Sequence, residues 1–214
     1  MSASPFEVAR LDDLDRFEDD FTTVPIRIPL GIGSFGINAY SAREAGGLVI
    51  EAHDELGSGA GRHEELYLVV SGAADFTLDG RDVPAERGTL VFVRDPAVRR
   101  KAVAREPDTT VLVVGGVPGQ PFTPSPWESW LAALPHYRRG DHARAVEVMR
   151  AALDAYPGNP NVLYNLACVE ALAGERAGAI DHLRRAIEAN PAAREWALAD
   201  DDFVPIRDDP AFPA

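Results

Sequence analysis

Cysteine occurs once in the 214-residue chain, at position 168, so no intrachain disulfide can form. A reducing, cytoplasmic setting is the expectation that follows. Cys168 lies within an apolar helical pattern and reads as a small buried hydrophobe rather than a reactive thiol. Long apolar runs are missing too: stretches such as 110–117 fall far short of the roughly 20 residues that span a bilayer. There is no basic run of five or more residues, and the net charge is −13. A field of that sign repels phosphate backbones and anionic lipid, which excludes nucleic acid and membrane surfaces as partners. The first 21 residues carry seven acids against two arginines and no apolar stretch, so no secretory signal is expected. The chain also lacks G-x-S-x-G, H-E-x-x-H and C-x-x-C, and with them three common catalytic signatures.

What the chain does contain changes character near residue 120. Before it, short runs rich in β-branched residues are broken by Gly, Pro and Asp, and predict strands over 24–29, 36–40, 47–52, 66–70, 74–78, 89–93, 99–103 and 109–114. Ala74, Phe76 and Leu78 alternate with Asp75, Thr77 and Asp79, the period of a strand with one wet face. Asp79-Gly80 then reads as a hairpin turn, since both residues tolerate positive φ. Many short strands without intervening helices imply a sandwich or barrel over 24–119, preceded by an acidic segment over 1–23. Gly31-Ile32-Gly33-Ser34-Phe35-Gly36 satisfies G-x-G-x-x-G, but a strand and turn pattern follows instead of the helix a dinucleotide site needs.

A Pro/Gly-rich linker over 120–125 leads into a helical domain over 126–214, with Ser125 as N-cap, Pro126 at the first position and Glu128 completing a capping box. Gly140, Ala145, Ala152 and Pro157 recur 34 residues later as Gly174, Ala179, Ala186 and Pro191. The glycines end the first helix of each pair, the alanines at 145 and 179 admit close approach, and the prolines stop the second helix. This period resembles the tetratricopeptide repeat (TPR). Pro135 is expected to interrupt the first helix of the first repeat. A third helix carrying Trp196, with Phe203 beyond it, is expected to cap the stack. His136, His142 and His182 read as polar helix surface.

Within the strand-rich half, GSGAGRHEELYLVVSG over 57–72 resembles the first cupin motif, G-x5-H-x-H-x3,4-E-x6-G, with Glu65 and Gly72 in register. DGRDVPAERGTLVFV resembles the second, G-x5-P-x-G-x2-H-x3-N. The resemblance implies a jelly-roll β-barrel and, in metal-binding members, an ion held inside it by three histidines and the glutamate. Here the paired-histidine positions fall among Ser58, Gly59, Ala60 and Gly61, while Val91 and Asp95 stand at the second motif's His and Asn positions. Of the four usual ligands only Glu65 is in place. The arrangement as a whole, cupin then TPR, resembles uncharacterised bacterial two-domain proteins.

A displaced site is one alternative. If the strand begins at His63, then His63, Glu65 and Tyr67 share the inner face, and His53 can reach the same mouth. His53, His63 and Glu65 would then hold a divalent metal (Fe, Zn, Mn or Ni), the enzyme reading being an oxygenase or isomerase. The other alternative is a non-catalytic barrel that takes a small molecule at a mouth lined by His53, His63, Glu65 and Tyr67. Val91 and Val93 would make one wall apolar. The glycine-rich loop before His63 either offers amides to an anionic ligand or is a plain turn. The TPR helices would present a shallow groove to a protein or peptide, or to a second copy in a homodimer.

Overall fold

The computed structural model describes residues 5–18 and 21–213, and backbone contacts divide the chain into a unit ending at Thr123 and a unit beginning at Pro124. The first is built of strands: β1 Phe17–Glu18, β2 Thr22–Pro25, β3 Gly36–Ala42, β4 Leu48–His53, β5 Glu64–Ser71, β6 Ala73–Leu78, β7 Arg81–Glu86, β8 Leu90–Val93, β9 Arg100–Ala104 and β10 Thr109–Gly116. They form two antiparallel sheets, β1-β2-β3-β10-β5-β8 and β4-β9-β6-β7. Non-sequential neighbours such as β3, β10 and β5 mark a jelly roll. Alternation sends Val49, Tyr67, Val69, Phe76, Val91 and Val111 into one core between the sheets. Gly72 joins β5 to β6 at φ +64, and a Cβ there would lie 2.8 Å from the Thr109 Cα. Only glycine fits that crossing.

Several elements depart from the sequence reading. The strand expected over 24–29 runs instead from Thr22 to Pro25. Beyond it the chain turns, with Ile32 N–H donating to the Arg27 carbonyl at 3.0 Å. Ile26, Leu30 and Ile32 thereby fold over Val24 and Ala39, where burial outweighs the strand preference of a β-branched run. Of the acidic segment over 1–23, residues 1–4, 19 and 20 lie outside the described residues. The remainder is not merely a leader: Phe17–Glu18 pairs with β2, and Leu11 and Leu14 pack on the same outer cluster. β7 is an additional strand, polar and carrying Pro84, which an edge strand accommodates because one row of its backbone groups needs no partner. The G-x-G-x-x-G stretch runs directly into β3.

The second unit contains α1 Glu128–Arg138, α2 His142–Ala155, α3 Pro160–Leu172, α4 Arg176–Ala189 and α5 Ala193–Ala199. Asp141 and Asn159 cap α2 and α3 through their side chains, and Gly140 and Gly174 close α1 and α3 at φ +73 and +81. Ala145 and Ala179 are fully buried between helices, and Phe203 and Ile206 close the core around α3 and α4. Two expectations are corrected. Helix α1 runs unbroken through Pro135, since packing of Leu131, Ala133 and Leu134 outweighs one lost backbone bond. Its regular turns begin at Glu128 rather than beside Ser125, after a tighter turn in which Glu128 N–H donates to the Ser125 carbonyl at 3.0 Å. Among the described residues no helix is long and apolar enough to cross a membrane.

Candidate functional site at the barrel mouth

Glu65 and Tyr67 share the inner face of β5, as period two requires. Their neighbours come from the opposite sheet. On β9, Arg100 alternates inward with Ala102 and Ala104 and is 1% exposed. Its Nη1 donates to Glu65 Oε2 at 3.1 Å, while Nε and Nη2 donate to the Val98 and Pro96 carbonyls at 3.1 and 3.2 Å. The Tyr67 hydroxyl donates to the same Glu65 oxygen. His53 stands directly opposite Arg100 across β4 and β9, and irregularities in that pairing re-aim it toward the mouth. Gly115, paired with Glu65, leaves the room this crowding needs: a Cβ there would lie 3.3 Å from Glu65 Cγ.

The tautomer of His53 follows from its partners. Nδ1 lies 2.7 Å from the Glu51 carbonyl, which can only accept, so Nδ1 carries the proton. Nε2 then points between two carboxylates, 3.9 Å from Glu65 Oε2 and 4.0 Å from Glu55 Oε1. At those distances the contacts are ion pairs rather than direct hydrogen bonds. Burial pulls the imidazole pKa down, but the facing Glu65 and the Glu51 carbonyl outweigh it and leave His53 raised above 6.5. Burial pushes Glu65 up, yet the surrounding donors and the His53 and Arg100 charges hold it below the usual carboxylate value. Glu55 is raised, first by burial and then by repulsion from Glu65. Burial and the adjacent Glu65 carboxylate keep Tyr67 firmly protonated.

His53, Glu65 and Tyr67 thus come together, and Arg100 and Glu55 join them. His63 does not. It precedes β5, is 5% exposed, and its Nε2–H donates to the Thr123 carbonyl at 3.2 Å with the ring against Phe122. Glu55 takes its place: one atom each of His53, Glu55 and Glu65 lie within 4.8 Å of one another. The glycine-rich loop is committed internally, because the Gly61 and His63 amides donate to Glu55 Oε2 at 3.0 and 3.2 Å. Val91 and Val93 are 7% and 4% exposed within the core, so they form no open apolar wall. The sequence signal that locates Arg100 is period two, since it precedes two inward alanines; Glu55 lies beyond the end of β4 and carries no such signal.

In the helical unit His182 is not surface. Its Nδ1 donates to Glu170 Oε2 at 2.7 Å, and the fully buried Glu170 also accepts from Arg150 at 2.8 Å. The Tyr137 and Tyr164 hydroxyls donate to Asp202 and Asp200 at 2.7 and 2.9 Å, tying the segment after α5 to α1 and α3.

Residues 136–200 match the family profile described as tetratricopeptide repeat. Solved structures similar to the chain include a cupin protein from Bacteroides fragilis, 16% identical, spanning 57% of this chain and 92% of that one with a TM-score of 0.43. Another is a sugar phosphate isomerase of a cupin superfamily from Silicibacter pomeroyi, 19% identical over 51% and 74% of the two chains with a TM-score of 0.42. KdgF from Halomonas sp. is 18% identical over 49% and 86%, with a TM-score of 0.39. No curated protein matches the chain.

Proposed function

We propose that the strand-built unit binds a small polar molecule at the mouth formed by His53, Glu55, Glu65 and Tyr67, without catalysing a reaction, and that the helical unit engages a protein, a peptide or a second copy of the chain. The observation that carries the first part is the buried Arg100 guanidinium locked onto Glu65. A cation already sits against the one carboxylate that matches the cupin metal motif, and the neighbouring motif positions offer no imidazole. The donor set therefore does not fit the four-ligand metal centre of metal-binding cupins. With His53 protonated, two carboxylates face two cations and the cluster is charge-balanced as it stands. His53, at 36% side-chain exposure the most open member, leaves an N–H and a facing carboxylate for a polar ligand.

The test is a saturation-transfer NMR screen of small polar metabolites against the full chain and its His53→Ala variant. Binders that weaken by about tenfold or more in the variant support the reading, in line with loss of a charged hydrogen bond. A screen without binders, or with binders indifferent to the variant, sinks it. The helical unit is tested by capture on the full chain with and without substitution of its exposed residues Trp196 and Val204.

One observation favours a second reading, the convergence of His53 Nε2, Glu55 and Glu65 within 4.8 Å. Deprotonated at Nε2, His53 could join both carboxylates around Fe, Zn, Mn or Ni, which would polarise a substrate oxygen. Elemental analysis of untagged protein separates the two. Less than about a tenth of an equivalent of metal, with no thermal shift on adding it, removes the enzyme reading.

A further inference from the structure

The outer face of the six-stranded sheet carries a second candidate site, distinct from the mouth. Thr22 pairs with Ser41, Ser41 with Thr110, and Thr110 with Ser71, so four hydroxyl-bearing residues stand in one row across β2, β3, β10 and β5. The row next to it along the strands is apolar: Val24, Ala39, Leu112 and Leu68. Leu11, Leu14, Leu30 and Ile32 pack on that face around Val24, Ala39 and Leu112, while the four residues of the hydroxyl row stay half-buried. Above it lies a cleft of about 420 Å³, within the range of small-ligand sites. Asp12, Arg16, Glu18, Arg43 and Asp108 form its rim.

We propose that this cleft binds a neutral polyhydroxylated molecule of monosaccharide size. The lining excludes the other classes in turn. Among the described residues a small anion would meet three carboxylates against two guanidiniums, and both guanidiniums are already engaged, Arg16 by Asp12 at 3.3 Å and Arg43 by Glu18. A metal ion needs converging ligands, and among the described residues no trio of acids from this rim comes within 4.8 Å. An apolar ligand would strand the hydroxyl floor without partners. A polyol both donates and accepts at every oxygen, and so does each Thr or Ser of the floor, while the rim adds fixed acceptors and donors. Among the described residues only Ser71 of the four spends its hydroxyl internally, on the Asp108 carbonyl at 2.8 Å. The cleft is independent of the mouth: five residues of β10, about 17 Å, separate Thr110 from Gly115 beside Glu65.

The experiment is titration of the ¹⁵N-labelled full chain with D-glucose, D-galactose and myo-inositol, and separately with inorganic phosphate. The expected result is saturable amide shifts centred on positions 22, 41 and 110, with a roughly millimolar Kd for at least one polyol, the affinity its atom count allows. The S41A/T110V variant, and S41A alone should the pair fail to fold, is expected to weaken binding by about tenfold or more. Absence of saturable shifts with all three polyols overturns the proposal. So do shifts centred on the barrel mouth, an unchanged Kd in the variants, or tighter binding of phosphate in the cleft.

Discussion

Replacing Arg100 by methionine removes the cation that neutralises Glu65 while keeping most of the side-chain volume. Arg100 is 1% exposed and Glu65 13%, so bulk water cannot replace the lost partner. Breaking a buried pair from one side costs about 3–5 kcal/mol, because the surviving charge stays desolvated. The carbonyls at 96 and 98 that Arg100 also satisfies lie in a partly exposed turn and can rehydrate, so they add little. Spread over a unit of this size, the loss lowers the barrel's Tm by about 12–20 °C. The R100M/E65Q pair removes both charges and should recover all but about 1 kcal/mol, as neutral replacement of buried pairs generally does. All three tryptophans, at 127, 130 and 196, lie beyond Pro124, so Trp fluorescence follows the helical unit and serves as an internal control. The barrel transition is read by far-UV circular dichroism in urea. With Arg100 gone, protonated His53 is the cation left facing Glu65, so the loss grows as pH rises through the raised His53 pKa. An R100M loss below about 1 kcal/mol, or a double variant no more stable than the single one, refutes the account of Arg100 as the charge that completes the site.

Three further outcomes are expected. In the parent protein His53, raised in the fold, contributes stability that is complete below pH 6.5 and lost above it, whereas Glu65, lowered in the fold, contributes stability that is complete above pH 4.5 and lost below it; urea midpoints of the barrel should therefore be highest between those values, and a profile still climbing at pH 8 contradicts the assignment. Gly178→Ala places a Cβ 2.9 Å from the buried Glu170 Oε2 and should cost about 1–3 kcal/mol in the Trp-monitored transition, while Gly80→Ala, with open space around it, suffers only the backbone penalty of about 1–2 kcal/mol. Cys168, buried and with its thiol pKa pushed up by burial and by Asp200, should resist DTNB in the native chain and react fully in denaturant.

What could be read in the sequence was whatever local periodicity decides. The alternation of Ala74, Phe76 and Leu78 carries directly into β6, and the 34-residue recurrence places both helix-ending glycines. Misreadings arose where tertiary packing overrides local preference. The run over 24–29 looks like strand, yet the strand ends at Pro25, and Ile26 packs with Leu30 and Ile32 around Val24 and Ala39. Arg81–Glu86 lies outside the runs expected as strands, yet it pairs with β6 at a sheet edge that tolerates Pro84 and charge. At the site, Glu65 and Tyr67 were visible because they lie two apart on one strand. Glu55 was hidden because its burial depends on a loop returning to wrap its carboxylate, an arrangement of residues six and eight positions away. His63 departs from its expected place for the complementary reason: β5 starts one residue later, and the ring is drawn to a carbonyl 60 residues on.

The mouth also shows how a jelly roll can keep a polar centre without a cluster of imidazoles. Two carboxylates brought together in a partly buried site repel, and the repulsion is relieved either by a proton on one of them or by a cation beside them. A metal ion is one answer, but it requires ligands that converge on a point. A guanidinium requires only a planar fork and carbonyls to hold its far side, and the turn from Asp95 to Val98 supplies those. Because Arg100 is covalently part of β9, its position does not depend on ion availability. His53 therefore becomes the adjustable cation of the cluster. Its Nε2 is held between Glu55 and Glu65 by the Nδ1 bond to Glu51, and under the proposed binding role it is the atom whose proton a ligand would share or displace. If the mouth binds a ligand as proposed, substituting Arg100 should shift the pH at which it does so, whereas substituting His53 should remove the His53 part of that pH dependence and leave the part set by Glu55 and Glu65.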